Sequence, residues 1–193
     1  KLTEWWNDDN KKKEISYKDG EKDGLWTEWY ENGQKEGEGT YKDGEEDGLS
    51  TWWLTDGNIE HEILYDMGNI LYKTVYIYDY WNNGNKKVVG SIKSRENHGL
   101  WTWWYENGQK EGEGTFKDGE RDGLHTAWYE NGQKKKEGTY NDGEKDGLWT
   151  EWYENGQKEE EVTYKDGKQH GLWTAWYDNG NQKGELNYIN GKM

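Results

Sequence analysis

The sequence contains no cysteine and no proline, one phenylalanine and two methionines among 193 residues. Without cysteine there is no disulfide framework and no thiol nucleophile, and no redox compartment can be assigned from it. Without proline, no strand is interrupted by a missing ladder donor. No run of 18 apolar residues exists, so no transmembrane helix is expected and integral membrane placement is disfavoured. No signal peptide is visible. The chain starts at Lys1 rather than Met, which fits a processed secreted protein or an excised fragment. A secreted or cell-envelope location is thus expected slightly ahead of a cytoplasmic one. Only 30% of the residues are hydrophobic and 34% are charged. Leu, Ile and Val are scarce, which by itself would indicate disorder. The 15 Trp and 15 Tyr overturn that reading. Each such ring buries ~150–250 Å², so aromatics replace the aliphatic core.

The net charge is −15. Nucleic acid is excluded as a partner, because phosphates require Lys and Arg. Anionic membrane surfaces are disfavoured for the same reason. A basic protein or a neutral ligand is compatible, and the charge keeps an exposed sheet soluble.

What is present is a repeat of 24 residues. Gly24-Leu25-Trp26-Thr27-Glu28-Trp29-Tyr30-Glu31-Asn32-Gly33-Gln34-Lys35 returns unchanged from Gly147 to Lys158, and partial copies start at Gly48, Gly99, Gly123 and Gly171. Alignment on the Asn-Gly and Asp-Gly pairs gives eight repeats: 1–23, 24–47, 48–71, 72–98, 99–122, 123–146, 147–170 and 171–193. Repeats three and four are degenerate. The step from Gly57 to Gly84 is three residues too long, placing an insertion near 69–74, around Leu71 and Tyr72. No composition break marks a second domain, so residues 1–193 read as one repeat domain.

Each repeat reads as a β-hairpin. Leu25–Glu31 is rich in Trp, Tyr and Thr, which favour strands. Asn32-Gly33 is the strongest short hairpin signal and predicts a two-residue type I′ turn. Partners then sum to 65: Trp26 faces Gly39, Glu28 faces Gly37, Tyr30 faces Lys35 and Gly24 faces Tyr41. One face carries Trp26, Tyr30 and Tyr41 with the glycines between them. The other carries Leu25, Thr27, Trp29, Glu36, Glu38 and Thr40. Rings over cross-strand glycines compensate for glycine's weakness in strands. A two-residue turn at Asp43-Gly44 predicts that equivalent positions slip by two residues per repeat; a wider loop there would change the slip. Sixteen strands about 4.8 Å apart predict an elongated single-layer ribbon of roughly 75 Å.

Equivalent aromatics form ladders. One is Trp5, Trp29, Trp53, Tyr80, Trp104, Trp128, Trp152 and Trp176. A second includes Tyr30, Tyr105 and Tyr153, and a third runs from Tyr17 to Tyr188. A looser fourth is Trp26, Ser50, Ile77, Trp101, His125, Trp149 and Trp173.

The Gly-Leu-Trp-Thr-Glu-Trp-Tyr-Glu-Asn-Gly-Gln-Lys motif, followed by Glu-Gly-Thr-Tyr-Lys-Asp-Gly, resembles the bacterial variant of the MORN repeat, including YwqK-type antitoxins. The resemblance covers essentially the whole chain and is strongest in six repeats. It implies an all-β antiparallel ribbon of hairpins and a role in protein–protein scaffolding. For some members it implies membrane attachment, which the acidity here opposes.

Catalysis finds little support. His61, His98, His125 and His170 are scattered, and no Ser-x-x-Lys or Gly-x-Ser-x-Gly pattern occurs. The carboxylates recur with the repeat instead of forming one distinctive pair, so no enzyme and no catalytic residue is expected. Asp43-Gly44-Glu45-Glu46-Asp47-Gly48 mimics the start of a calcium loop, but Leu54 stands where the bidentate Glu belongs. Turn chemistry is the preferred reading, and no metal or other cofactor is expected. The candidate binding residues are Trp5, Trp29, Trp53, Trp104, Trp128, Trp152, Trp176, Tyr30, Tyr105 and Tyr153, because exposed aromatic rows mark interaction surfaces. The expected function is a non-catalytic scaffold for a protein partner, with an antitoxin role as its specific form. Two alternatives stand beside it: end-to-end self-assembly through free strand edges, and glycan binding by stacking of sugar on Trp rows.

Overall fold

The computed structural model describes residues 1–192; Met193, which closes the eighth repeat, lies outside the described residues. The chain is all-β and antiparallel. It divides into two compact bodies, residues 1–76 with 92–95, and residues 77–91 with those from 96 onward. The first body holds β1 (Leu2–Trp5), β2 (Lys11–Lys18), β3 (Glu21–Trp29), β4 (Lys35–Lys42), β5 (Glu45–Glu46), β6 (Gly48–Trp53), β7 (Ile59–Asp66) and most of β8 (Asn69–Tyr80). The second holds most of β9 (Lys86–Lys93), then β10 (Glu96–Trp104), β11 (Lys110–Lys117), β12 (Glu120–Trp128), β13 (Lys134–Asn141), β14 (Glu144–Trp152), β15 (Lys158–Lys165), β16 (Lys168–Trp176) and β17 (Gln182–Tyr188). From β10 to β17 every strand pairs with its chain neighbour. Among the described residues no helix is long and apolar enough to cross a membrane.

A two-residue turn is expected at both Asn32-Gly33 and Asp43-Gly44, and only the second forms. At Asn32-Gly33 the loop has three residues, not two. Tyr30 N–H donates to Gln34 O and Gly33 N–H donates to Tyr30 O, both at 2.9 Å. Only Gly33 has a positive φ, 84°. This is a type I turn followed by a glycine bulge. Asn32 fixes it through its side chain, whose Oδ1 accepts from Gln34 N–H at 3.0 Å. The type I′ turn sits instead at Asp43-Gly44, where φ is 47° and 88°. The calcium-like segment is therefore this turn followed by β5.

The longer loop changes the register near the tip. Tyr30 pairs with Gln34, and Lys35 faces Trp29, so the predicted Tyr30–Lys35 pair does not form. A bulge at Glu36 then restores the predicted pairs Glu28–Gly37, Trp26–Gly39 and Gly24–Tyr41. The same bulge moves Glu36 off the Trp29 face, to line a depression beside Glu28.

The predicted two-residue slip is also absent. Lys42 faces Glu45 and Tyr41 faces Glu46, as a two-residue turn requires. Farther along, however, Glu38 faces Thr51 and Gly37 faces Trp52. Two extra residues are absorbed around Gly48, whose φ of 91° suits glycine. Thr27, Glu38 and Thr51 consequently stand level, as do Glu28, Gly37 and Trp52. Each residue meets its own repeat equivalent, 24 positions on. In the second body Trp101, Gly114 and His125 stand level in the same way. The degenerate repeat departs from this: Ser50, Ile63 and Lys73 stand level, so Lys73 rather than Ile77 continues the fourth ladder. The inserted residues lengthen β8 to 12 residues.

The core is the Trp26 face. Trp26, Trp101 and Trp149 are buried, together with Ile15, Ile63, Val162 and Ala175. Each Trp lies over a cross-strand glycine. A Cβ on Gly90 would collide with Trp101, and one on Gly138 with Trp149. The indole N–H of Trp101 donates to Ser91 O and that of Trp149 to Thr139 O, each at 3.1 Å. Edge-to-face contacts then run without a break from Trp101 through Phe116, His125, Tyr140 and Trp149 to Tyr164. Each such pair contributes about 0.5–1.5 kcal/mol beyond area burial.

Gly138→Ala is expected to destabilise the protein by about 1–3 kcal/mol, because the indole must leave its place. Gly184, where an added methyl would meet nothing within 4 Å, is the control. Gly184→Ala should be neutral or stabilising by up to about 1 kcal/mol. Urea unfolding of both variants checks the contrast.

Candidate functional site

The predicted binding ladder lies on the Trp29 face, and the structure shows what surrounds it. Trp5 is exposed, whereas Trp29, Trp53, Trp104, Trp128, Trp152 and Trp176 are half-buried. A lysine ammonium covers each ring. Lys11 lies 5.7 Å from the centroid of Trp29, Lys35 5.7 Å from Trp53 and Lys86 5.9 Å from Trp104. Lys110, Lys134 and Lys158 lie 5.7, 5.7 and 5.6 Å from Trp128, Trp152 and Trp176. These are cation–π distances. Several of the lysines also bind a carboxylate three residues on, as in Lys110–Glu113 at 2.6 Å and Lys158–Glu161 at 2.7 Å. Tyr30, Tyr105 and Tyr153 are half-buried. Their hydroxyls donate to the carbonyls of Trp53, Trp128 and Trp176 at 2.6, 2.8 and 2.9 Å. Burial pushes all three hydroxyls above their ordinary pKa. The tyrosines thus stitch repeat to repeat, and the tryptophans form the floor of the face.

Sequence reasoning missed a set of exposed leucines on this face. Leu25 and Leu49 in the first body, and Leu100, Leu124, Leu148 and Leu172 in the second, are each about half exposed. One leucine stands in each of these repeats, directly after the repeat glycine. Leu25, Leu100, Leu124 and Leu148 each face a threonine across the ladder, as in Leu124–Thr139 and Leu148–Thr163, whereas Leu49 faces Leu64 and Leu172 faces Asn187. The signal was available, since alternation puts Leu25 with Thr27 and Trp29 on the face away from the core.

A second surface, on the core face of the second body, is a groove of about 440 Å³ over His125. Its walls include Trp103, Tyr140 and Trp149, and its base includes Gly112 and Ala127. His125 occupies the place of a core Trp, over Gly114. Its Nε2 lies 2.9 Å from Thr115 O. A carbonyl only accepts, so Nε2 carries the proton and mimics the indole N–H of Trp101 and Trp149. Burial pushes the imidazole below its ordinary pKa, and Arg121 adds to this against the Thr115 bond. His61, stacked on Trp52 with centroids 4.7 Å apart, is likewise depressed, mainly by burial. Among the described residues no group of three His, Cys, Asp or Glu side chains gathers to hold a metal.

Below about pH 6.5 the unfolded imidazoles take up protons that folded His125 and His61 resist. The neutral forms therefore contribute stability that is present above that pH and is lost as pH falls toward their depressed folded values. The unfolding midpoint should fall from pH 7 to pH 5. In His125→Trp the fall should be shallower, leaving the share due to His61 and the carboxylates. Thermal melts of both proteins across that range check the difference in slope.

The sequence pattern of the MORN repeat variant family matches the chain at residues 22–43, 97–118, 121–142, 145–166 and 169–190, together more than half its length. The degenerate third repeat and most of the fourth fall outside these matches. No curated protein matches the chain. MORN repeats are generally non-catalytic repeat modules, often engaged in protein or membrane interaction. A period that begins just after the type I′ turn, a strand ending in Trp with Tyr next after it and an Asn-Gly tip are what those five segments share, and by them the chain belongs to the MORN repeat variant family.

Proposed function

We propose that this chain is a non-catalytic scaffold that holds a protein partner against the Leu–Trp–Lys face. The observation that carries the reading is the exposed leucine of six repeats, beside half-buried tryptophans capped by lysine. An apolar row rimmed by fixed charges is the composition of a binding surface. The net charge of −15 favours a basic partner and speeds its encounter. Stacking of sugar is less favoured on this face, because a lysine already covers a side of each ladder ring. The specific form of the reading is an antitoxin-like role, in which the partner is a toxin polypeptide. The resemblance to YwqK-type repeat proteins supports it.

Leu124→Ser combined with Leu148→Ser leaves the core untouched, so the fold should persist. Removing two buried contacts should weaken capture of the partner at least about tenfold. The measurement is affinity capture with the wild-type and doubly substituted chains, with circular dichroism to show that both are folded. Equal capture by both sinks the assignment of this face. Mass that rises with concentration in light scattering, and is lost in the double variant, would identify the occupant as a second copy.

A further inference from the structure

The repeat supplies its own template for the groove over His125. At the positions equivalent to His125 stand Trp26, Trp101, Trp149 and Trp173. Two residues on, where this repeat has Ala127, stand Glu28, Trp103, Glu151 and Ala175. Repeat three also lacks the first ring, having Ser50 there. In that repeat Trp52 fills the space, 5.7 Å from Trp26 and stacked on His61. Repeat eight keeps Trp173 over Val162. Among these repeats only 123–146 has a small side chain at the second position and no indole at the first. The groove of about 440 Å³ is the space those side chains would occupy.

The groove's walls suit a ring. Tyr140 stands edge-on to His125 with centroids 4.9 Å apart, and Trp149 stands edge-on to Tyr140 at 4.9 Å. Cations lie against these π-systems. Arg121 is 5.2 Å from the Tyr140 centroid and donates to its hydroxyl at 2.9 Å. Lys136 is 5.4 Å from Trp149 and is ion-paired with Glu151. An electron-rich ring set among such cations gains cation–π attraction that a saturated ring does not. The carboxylate of Glu111, on the groove's edge, can accept from a ring N–H.

We infer that the groove over His125 binds one flat, electron-rich aromatic ring, the indole of a tryptophan carried by a partner polypeptide. The scaffold reading supplies only the source of the ring; ring binding itself is independent of it. The probe is therefore free N-acetyl-tryptophanamide, titrated against the full chain by saturation-transfer NMR. Wild type should show saturable binding. His125→Trp, which copies the arrangement at Trp101 and Trp149, should weaken it at least about tenfold. Ala127→Trp, which copies Trp103, should do the same from the base. Thermal melts establish that each variant is folded. Absence of saturable binding by wild type overturns the inference. So does binding as tight as that of wild type in both folded variants, and so does preference for methyl β-glucopyranoside over the amide. If Leu124→Ser with Leu148→Ser leaves partner capture intact while the amide still binds wild type, the leucine face falls and the groove stands. If capture is lost and the amide never binds, the groove falls and the leucine face stands.

Discussion

The structure depends on cancellation of register shifts. A three-residue tip would displace the strands of a hairpin by one residue, and the bulge at Glu36 removes that displacement. A two-residue Asp-Gly turn would displace successive hairpins by two, and the distortion at Gly48 removes that one. With both removed, equivalent residues stand level at the 24-residue period. Everything that repeats in space follows from this: the lysine over the next tryptophan, the tyrosine hydroxyl on the next carbonyl, the unbroken aromatic column. Had the slip persisted, identical residues would drift across the sheet and no ladder would extend beyond a pair.

The second dependence is of ring upon glycine. A chain with so few aliphatic side chains can fold because an indole lying flat over Gly90, or over Gly138, covers backbone that a larger neighbour would have covered. The indole N–H of Trp101 and of Trp149 finds the backbone carbonyl ten residues earlier, and so those two rings are buried without an orphaned donor. Val162 shows the alternative. With a side chain in place of glycine, Trp173 is displaced outward and its N–H turns to Glu160 at 2.9 Å.

Much of this was legible in the sequence. The period, the hairpins, the pairs Trp26–Gly39 and Glu28–Gly37 and the placement of indoles over glycine all follow from spacing and alternation. The turn types did not. Asn32-Gly33 carries the dipeptide preference of a type I′ turn, yet Asn32 acts through its side-chain oxygen and leaves positive φ to Gly33 alone. Bulges are equally silent in one sequence, since Glu36 differs in no property from Glu38. The site was legible by halves. His125 stood out as an exception within a ladder. That its exception leaves a groove depended on Ala127 lying beside it and on no neighbour moving in, as Trp52 does beside Ser50.

The hydrogen bonds between repeats have a direction. At the Asn-Gly tips donors point forward along the chain: Tyr105 to Trp128, Asn107 to Glu130, Asn131 to Glu154. At the Asp-Gly turns they point backward: Gly143 to Arg121, Gly167 to Lys145. Each repeat therefore offers the same donors and acceptors to whatever repeat precedes or follows it. A whole period can be lost or duplicated with every such bond re-formed between new neighbours, whereas a fraction of a period leaves both margins mismatched. The insertion in β8 is such a fraction.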